Sequence, residues 1–162
     1  MAATDPDLDW KTIQDLAHRL HLQIARDEPP NTIVAVARGG LIPATIIAHL
    51  IKIDDVRVAY ARHTSSDFAH SPMLPELILR NTASVGDLTG RDVLLVDDIV
   101  TSGATISGVS RMIKANGAAK VRTAALVWKG GCAEPGRISG ELCPDYWAVC
   151  CGGWVTFPWE VR

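Results

Sequence analysis

Apolar residues recur at helical spacing between positions 9 and 26. Trp10, Ile13, Leu16, Ala17, Leu20 and Ile24 form one stripe, with Lys11, Gln14, Asp15 and Arg19 opposite. Glu28-Pro29-Pro30-Asn31 ends this predicted helix. The period then changes. Residues 32–37 (TIVAVA) are β-branched and apolar and predict a buried strand. Arg38-Gly39-Gly40 follows, and residues 41–51 predict a helix that tolerates Pro43 in its first turn. A strand is expected at 56–61, a loop rich in Ser, His, Asp and Pro at 62–75, a strand at 76–81 and a turn at 85–90. Val93 to Val96 is an unbroken apolar run that meets Asp97 and Asp98, as a strand in a covered parallel sheet does where it leaves the sheet. A small-residue loop at 101–105 leads into a helix at 106–116, stopped by Gly117. Residues 120–128 (KVRTAALVW) predict a strand, 135–144 a loop and 145–149 a last strand. The expected fold class is α/β, with a mostly parallel central sheet flanked by helices.

Composition narrows the function. A chain of 162 residues suffices for a single domain with a sizeable core, and 48% hydrophobic with 21% charged residues is ordinary for a globular protein. A net charge of -2 gives no electrostatic footprint for nucleic acid or an anionic membrane. No apolar run approaches a membrane span, and MAATDPDLDW has neither the basic region nor the apolar core of a secretory signal. The expected location is cytoplasmic. Cys132, Cys143, Cys150 and Cys151 then read as free thiols, some of them buried. They contain no C-x-x-C pair to argue for zinc.

The candidate chemistry gathers around residues 91–109. Thr101-Ser102-Gly103-Ala104-Thr105 has three hydroxyls, one glycine and no bulky side chain. Such a loop can wrap its backbone N–H groups around a phosphate at the positive end of the following helix. Asp97 and Asp98 cannot share that phosphate, because like charges repel. They suit sugar hydroxyls or a hard cation such as Mg2+. Together these features imply a sugar phosphate. At the end of the first strand, Gly39 and Gly40 let the backbone approach an anion closely, and Arg38 adds a fixed positive charge suited to diphosphate. Arg62 and Arg80 flank the 62–75 loop. They read equally well as diphosphate contacts and as solvated surface charges.

VLLVDDIVTSGAT resembles the phosphoribosyl-diphosphate (PRPP) signature of the type I phosphoribosyltransferases. VAVARGGLIPA resembles the diphosphate loop of their 6-oxopurine members. The WVTFPWE segment resembles the C-terminal segment of bacterial and archaeal xanthine-guanine enzymes. The resemblance covers most of the chain. It implies one phosphoribosyltransferase domain over 1–162, with a flexible hood loop at about 62–80 and a base-binding segment at about 129–162. It implies transfer of a 5-phosphoribosyl group from PRPP to a xanthine, guanine or hypoxanthine type of purine, with release of diphosphate. Asp97, Asp98 and Thr101 would be catalytic. Arg38, Gly39, Gly40, Asp97, Asp98, Thr101, Ser102, Gly103, Ala104 and Thr105 would bind PRPP and its phosphates. Lys129 would donate to the purine 6-oxo group, Trp154 would stack on the base, and Val155 would contact its edge through backbone groups, while Trp159 would close the core. Asp98, with Asp97, would hold Mg2+. The implied partners are PRPP and a purine base, in a homodimer or homotetramer, without nucleic acid or membrane.

One position departs from the pattern. Thr101 stands where relatives carry the Asp assigned to proton transfer at the purine. A threonine hydroxyl is no base near neutral pH, and the loss of general acid–base catalysis costs about 10²–10⁴-fold. Three readings follow: the base brings its own acidity, Glu160 serves instead, or the acceptor is not an ordinary 6-oxopurine. Two rival functions stand beside the leading one. The first is transfer to a non-standard base in a specialised pathway. The second is a PRPP-binding regulator without turnover, against which the acidic balance weighs.

Overall fold

The computed structural model describes residues 8–64, 73–130 and 143–160. Its elements are α1 (Trp10–Ile24), β1 (Thr32–Ala37), α2 (Leu41–Ile51), β2 (Val56–Thr64), β3 (Met73–Arg80), a 3₁₀ turn (Thr82–Val85), β4 (Asp92–Val100), α3 (Ala104–Ala115), β5 (Lys120–Trp128) and β6 (Tyr146–Cys150). The six strands form one sheet in the order β3-β2-β1-β4-β5-β6. Every neighbouring pair is parallel except β2 with β3. The expected α/β class with a mostly parallel sheet is observed.

The apolar pattern explains the layers. Ile13, Leu16, Ala17, Leu20 and Ile24 of α1 are buried with Ala44, Ile47 and Ala48 of α2 on one face of the sheet, against Ile33, Ala35, Leu94 and Val96. Ile106, Val109 and Ile113 of α3 pack on the other face, against Val34, Val36, Leu95 and Ala125. Strands β1 and β4 thus contribute alternate residues to two cores, which is why their sequences are apolar throughout and show no period of two. Asp9 caps α1 by accepting from the Thr12 backbone N–H at 2.7 Å, and Lys52 closes α2 in the left-handed conformation at φ 59°.

Four boundaries differ from expectation, each for a local reason. β4 runs on through Asp97 and Asp98 to Val100, because its pairing with β5 continues as far as Val100 opposite Trp128. The segment expected to be loop at 62–75 carries strand at both ends, as β2 and β3 form an antiparallel hairpin. Pro75 is tolerated there because β3 is the sheet's edge strand, where a missing backbone donor need not break a ladder. Helix α3 begins at Ala104 rather than 106, and β6 is shifted by one residue. The hood reading at 62–80 falls partly on residues 65–72, which lie outside the described residues, as does Cys132. Cys143 and Cys151 are free thiols, but Cys150 is disulfide-bonded, which corrects the expectation that every cysteine is free.

Polar groups pin the amino ends of the strands. Arg122, 6% exposed, pairs with Asp92 at 2.9 Å and donates to the Tyr146 hydroxyl at 3.4 Å; that hydroxyl in turn donates to Asp27. Arg57 donates to Asp55 at 2.9 Å and to the carbonyl oxygens of Val85 and Asp87, tying the segment before β4 to β2. These bonds occupy the end of the sheet opposite the loops that carry the candidate chemistry.

Gly40 sits where no side chain fits. A Cβ there would lie 2.5 Å from the Val36 carbonyl oxygen and 2.6 Å from that of Val96, both backbone atoms of packed strands. Gly40→Ala is therefore expected to destabilise the protein by about 1–3 kcal/mol, the usual cost of overpacking a tight site. Urea unfolding monitored by tryptophan fluorescence checks this, and an unchanged midpoint would refute the wedge.

Candidate functional site

The site follows from topology. Strands β1 and β4 are neighbours, yet the helix after β1 covers one face of the sheet and the helix after β4 covers the other. The two connecting loops therefore diverge and leave a crevice beyond the carboxyl ends of the strands, where ligands of open α/β sheets bind. Residues 38–40 line one side of this switch point and residues 101–103 line the other.

On the β1 side, Arg38 is exposed, and the Ala37–Arg38 peptide is cis. Gly39 backs directly onto Asp98: a Cβ at Gly39 would lie 1.8 Å from a carboxylate oxygen of Asp98. The Gly40 N–H donates to the Val36 carbonyl at 2.9 Å, so the loop turns immediately into α2. On the β4 side, Thr101 and Ser102 are exposed, and Gly103 takes φ 76°, a left-handed conformation that a residue with a Cβ adopts at a cost. Gly103 is the N-cap of α3 and has no side chain to offer the first turn. The Ser102 hydroxyl accepts from the Ala104 N–H at 3.3 Å. Ala104 and Thr105 form that first turn, so the amino end of α3 faces the crevice with donors that an anion can take.

Between the two loops stand the carboxylates. Asp97 is 8% exposed and accepts from the Asp98 N–H at 2.9 Å, while Asp98 accepts from the Ile99 N–H at 2.7 Å. Burial pushes the Asp97 carboxyl well above the usual carboxylate range, and the neighbouring charge of Asp98 pushes it further. Asp98 is raised to about 6, chiefly by burial, with Glu160 adding like-charge repulsion. Two carboxylates held in this way are short of hydrogen-bond donors and positive charge. Sugar hydroxyls and a hard cation supply both.

The third component comes from β5 and the segment after β6. Lys129 follows directly on β5, and its N–H donates to the Val100 carbonyl at 2.8 Å, which sets Lys129 beside Thr101. Across the next strand pair, the Cys151 N–H donates to the Trp128 carbonyl at 3.1 Å, which brings the chain leading to Trp154 alongside. The Lys129 ammonium lies 5.3 Å from the centroid of the Trp154 ring. Val155 is 4% exposed, with its side chain in the core. Phe157 stacks on Trp159 at 4.6 Å and 13°, and Trp159 meets Trp10 of α1 at 5.9 Å. Trp159 thus packs at the core margin. Glu160 accepts from the Phe157 N–H at 2.9 Å and closes a turn there.

The sequence-predicted residues of the two phosphate loops, the carboxylate pair and the base segment thus converge on one end of the sheet. Arg62 and Arg80 are exposed on the β2–β3 hairpin, where Arg62 pairs with Ile78 and Arg80 with Tyr60. The sequence reading missed the bond from Lys129 to Val100, which ties the end of β5 to the start of the 101–105 loop. It is a backbone bond, so no side-chain pattern reports it.

The raised carboxylates make the unliganded protein pH-sensitive. A carboxyl with a raised pKa keeps in the folded state a proton that the unfolded chain has already released. Folding stability contributed by that proton is full below the ordinary value of 3.8 and is lost as pH rises through about 6 for Asp98, and Asp97 is shifted in the same direction. Asp98→Asn removes one ionisation. It is expected to raise stability at pH 7 by on the order of 2 kcal/mol and to flatten the decline between pH 4 and 6. Urea midpoints measured across that range decide it, and a parallel decline in wild type and variant would refute the assignment.

Comparison with known proteins agrees with this architecture. The model of the phosphoribosyl transferase domain matches residues 8–162. A transcriptional regulator GfcR from Methanospirillum hungatei is 30% identical over 146 residues, covering 80% of this chain and 68% of the regulator. The chain spans about two thirds of the length of that regulator. Among solved structures, a purine phosphoribosyltransferase from Pyrococcus horikoshii superposes with a TM-score of 0.72 at 26% identity, covering 98% of this chain and 95% of that one. A xanthine-guanine-hypoxanthine phosphoribosyltransferase from Helicobacter pylori superposes with a TM-score of 0.74 at 20% identity, covering 98% and 95%, and at that identity the likeness is one of fold. With two divergent loops around a carboxylate pair and a family match over nearly its whole length, the chain belongs to the phosphoribosyl transferase domain family.

Proposed function

We propose that the protein transfers the 5-phosphoribosyl group of PRPP to a 6-oxopurine and releases diphosphate. The observation that carries this reading is the gathering, at the carboxyl ends of β4 and β5, of a helix start, a buried carboxylate pair and a cation set over an indole. The purine enzyme from Pyrococcus horikoshii, which matches over 98% of this chain, supports the choice of acceptor.

Each group has a task that its geometry suits. The amino end of α3 and the 101–105 loop take the 5′-phosphate and orient the ribose. Arg38 and the N–H groups of the Gly39–Gly40 turn take the diphosphate. Asp97 and Asp98 accept from the ribose hydroxyls. Mg2+, when bound, supplies positive charge on the departing diphosphate. Among the described residues no three acidic, Cys or His side chains form a metal cluster. The fit is therefore to an ion carried largely by PRPP, with Asp98, helped by Asp97, completing its surroundings. The reacting C1 gains positive character as its bond to diphosphate lengthens, and the adjacent carboxylates favour that charge. Trp154 offers a face to the purine. The Lys129 ammonium donates to the 6-oxo group, a contact that the amino group of adenine cannot accept.

A second reading is regulatory, with PRPP bound and no turnover, and the GfcR relative favours keeping it. One assay separates the two. With Mg2+ and PRPP, diphosphate release is expected with one or more of xanthine, guanine and hypoxanthine, and not with adenine or orotate. Saturable PRPP binding without turnover on any base would instead support the regulator. Trp154→Ala is expected to weaken the productive base by roughly 10–100-fold in kcat/KM, in line with stacking worth about 1–3 kcal/mol. Equal kinetics in wild type and variant would remove Trp154 from the base site.

A further inference from the structure

One strand pair stands beyond the end of its neighbour. The registers put Ala37, the last residue of β1, level with Tyr60, and Tyr60 level with Arg80. Ala61 to Thr64 of β2, with the part of β3 paired to them, therefore rise past the end of β1 beside the Arg38-Gly39-Gly40 turn. Ala61 and Leu79 of this hairpin pack toward α3, against the cluster that holds Ile106 and Val109. By strand alternation Arg62, Ile78 and Arg80 face the other way. That second face is open to solvent, with Tyr60 43% and Ile78 39% exposed. The hairpin thus rests on α3.

The seat has a particular shape. Gly108 is buried in the interior of α3, about one turn after Ala104. A glycine there weakens a helix relative to alanine, through backbone entropy. The space left by its missing Cβ is filled by a methyl of the half-buried Leu77: a Cβ at Gly108 would lie 2.1 Å from Leu77 Cδ2. The next atoms, Leu77 Cγ at 3.6 Å and Arg111 Nη2 at 3.9 Å, are at ordinary contact distance. β3 therefore seats on α3 as a knob in a notch, one turn from the helix start that faces the crevice.

Resting on the phosphoribosyl-transfer reading, in which the start of α3 takes the 5′-phosphate and the Arg38 turn takes the diphosphate, we infer that Gly108 is a positioning residue for PRPP. Its notch sets the height and tilt of the β2–β3 hairpin against the phosphate-binding helix. The hairpin carries Arg62 and Arg80, whose reach toward the diphosphate depends on that seat. A methyl group in the notch displaces Leu77, and the hairpin with it, without altering any group assigned to the ligand.

PRPP binding in the presence of Mg2+, followed by isothermal titration calorimetry alongside urea unfolding of the full chain, tests this. Gly108→Ala is expected to keep or raise the urea midpoint, since alanine favours the helix, and to weaken PRPP about tenfold, as misplacing a binding element does. Leu77→Val removes a methyl's worth of volume from the strand side. Combined with Gly108→Ala, it is expected to bring the affinity back to within about threefold of wild type, the coupling shown by residues in contact. Leu77→Ala empties the notch and leaves the helix as it is. It is expected to weaken PRPP as well, and it keeps the test open should Gly108→Ala fail to fold. Unchanged affinity in either folded single variant, or a loss that Leu77→Val does not recover, would overturn the inference and leave the transfer reading intact. So would a loss of binding that only tracks a fall in the urea midpoint. A wild-type protein that does not bind PRPP would overturn the transfer reading and the inference with it.

Discussion

Two carboxylates on adjacent residues of a covered strand repel each other, and both lose water that would have stabilised their charge. Left alone, Asp97 and Asp98 would favour a longer loop and an earlier end to β4. They are held because β4 goes on pairing with β5 from Asp97 to Val100, while on the β1 side, where strand pairing ends at Val96, the Gly40 turn is wedged between Val36 and Val96. Backbone N–H groups of Asp98 and Ile99 offset part of the cost. The remainder stays as an unmet demand for hydroxyl donors and positive charge. The crevice between the diverging loops is where a ligand meets that demand. Stability sacrificed at this point would be recovered by a ligand that brings hydroxyl donors or positive charge into the crevice.

Most of the fold was legible because the pattern was strong. β1, α2 and β5 lie at the positions that the apolar runs predict, since each is bounded by Gly, Pro or charge. Prediction failed where tertiary pairing overrode local composition. Asp97 to Val100 read as an exit from the sheet, yet β5 keeps pairing beside them. Residues 73–75 read as loop because of Pro75, yet an edge strand accommodates proline. The candidate site was legible at its ends, through the carboxylate pair, the small-residue loop and the Arg-Gly-Gly turn. Its closure was not. The contact of Gly39 with Asp98, the coupling of Lys129 to Val100 and the approach of Lys129 to Trp154 join residues that are distant in sequence, and they depend on strand order.

Strand order also divides the site into two parts that can change independently. Under the proposed function, the ends of β1 and β4 would take PRPP, and the end of β5 with the 154–160 segment would take the base. A protein that retains the first part and alters the second keeps its affinity for the sugar phosphate while changing or losing its acceptor. This separation is a physical route by which one architecture can serve different functions.

The 154–160 segment leans on α1, through the Leu8 N–H bonded to the Thr156 carbonyl at 2.9 Å and through Trp10 against Trp159. These contacts join an early part of the chain to a late one. During synthesis the apolar stripe of α1 emerges well before the residues that cover its end, and it must wait for them through the making of every strand. The helix packs against α2, β5 and β6, so its cover is complete only when the last strand and the 154–160 segment have been made. Vectorial synthesis thus completes the 154–160 side of the crevice last, after the loops that follow β1 and β4 have been made.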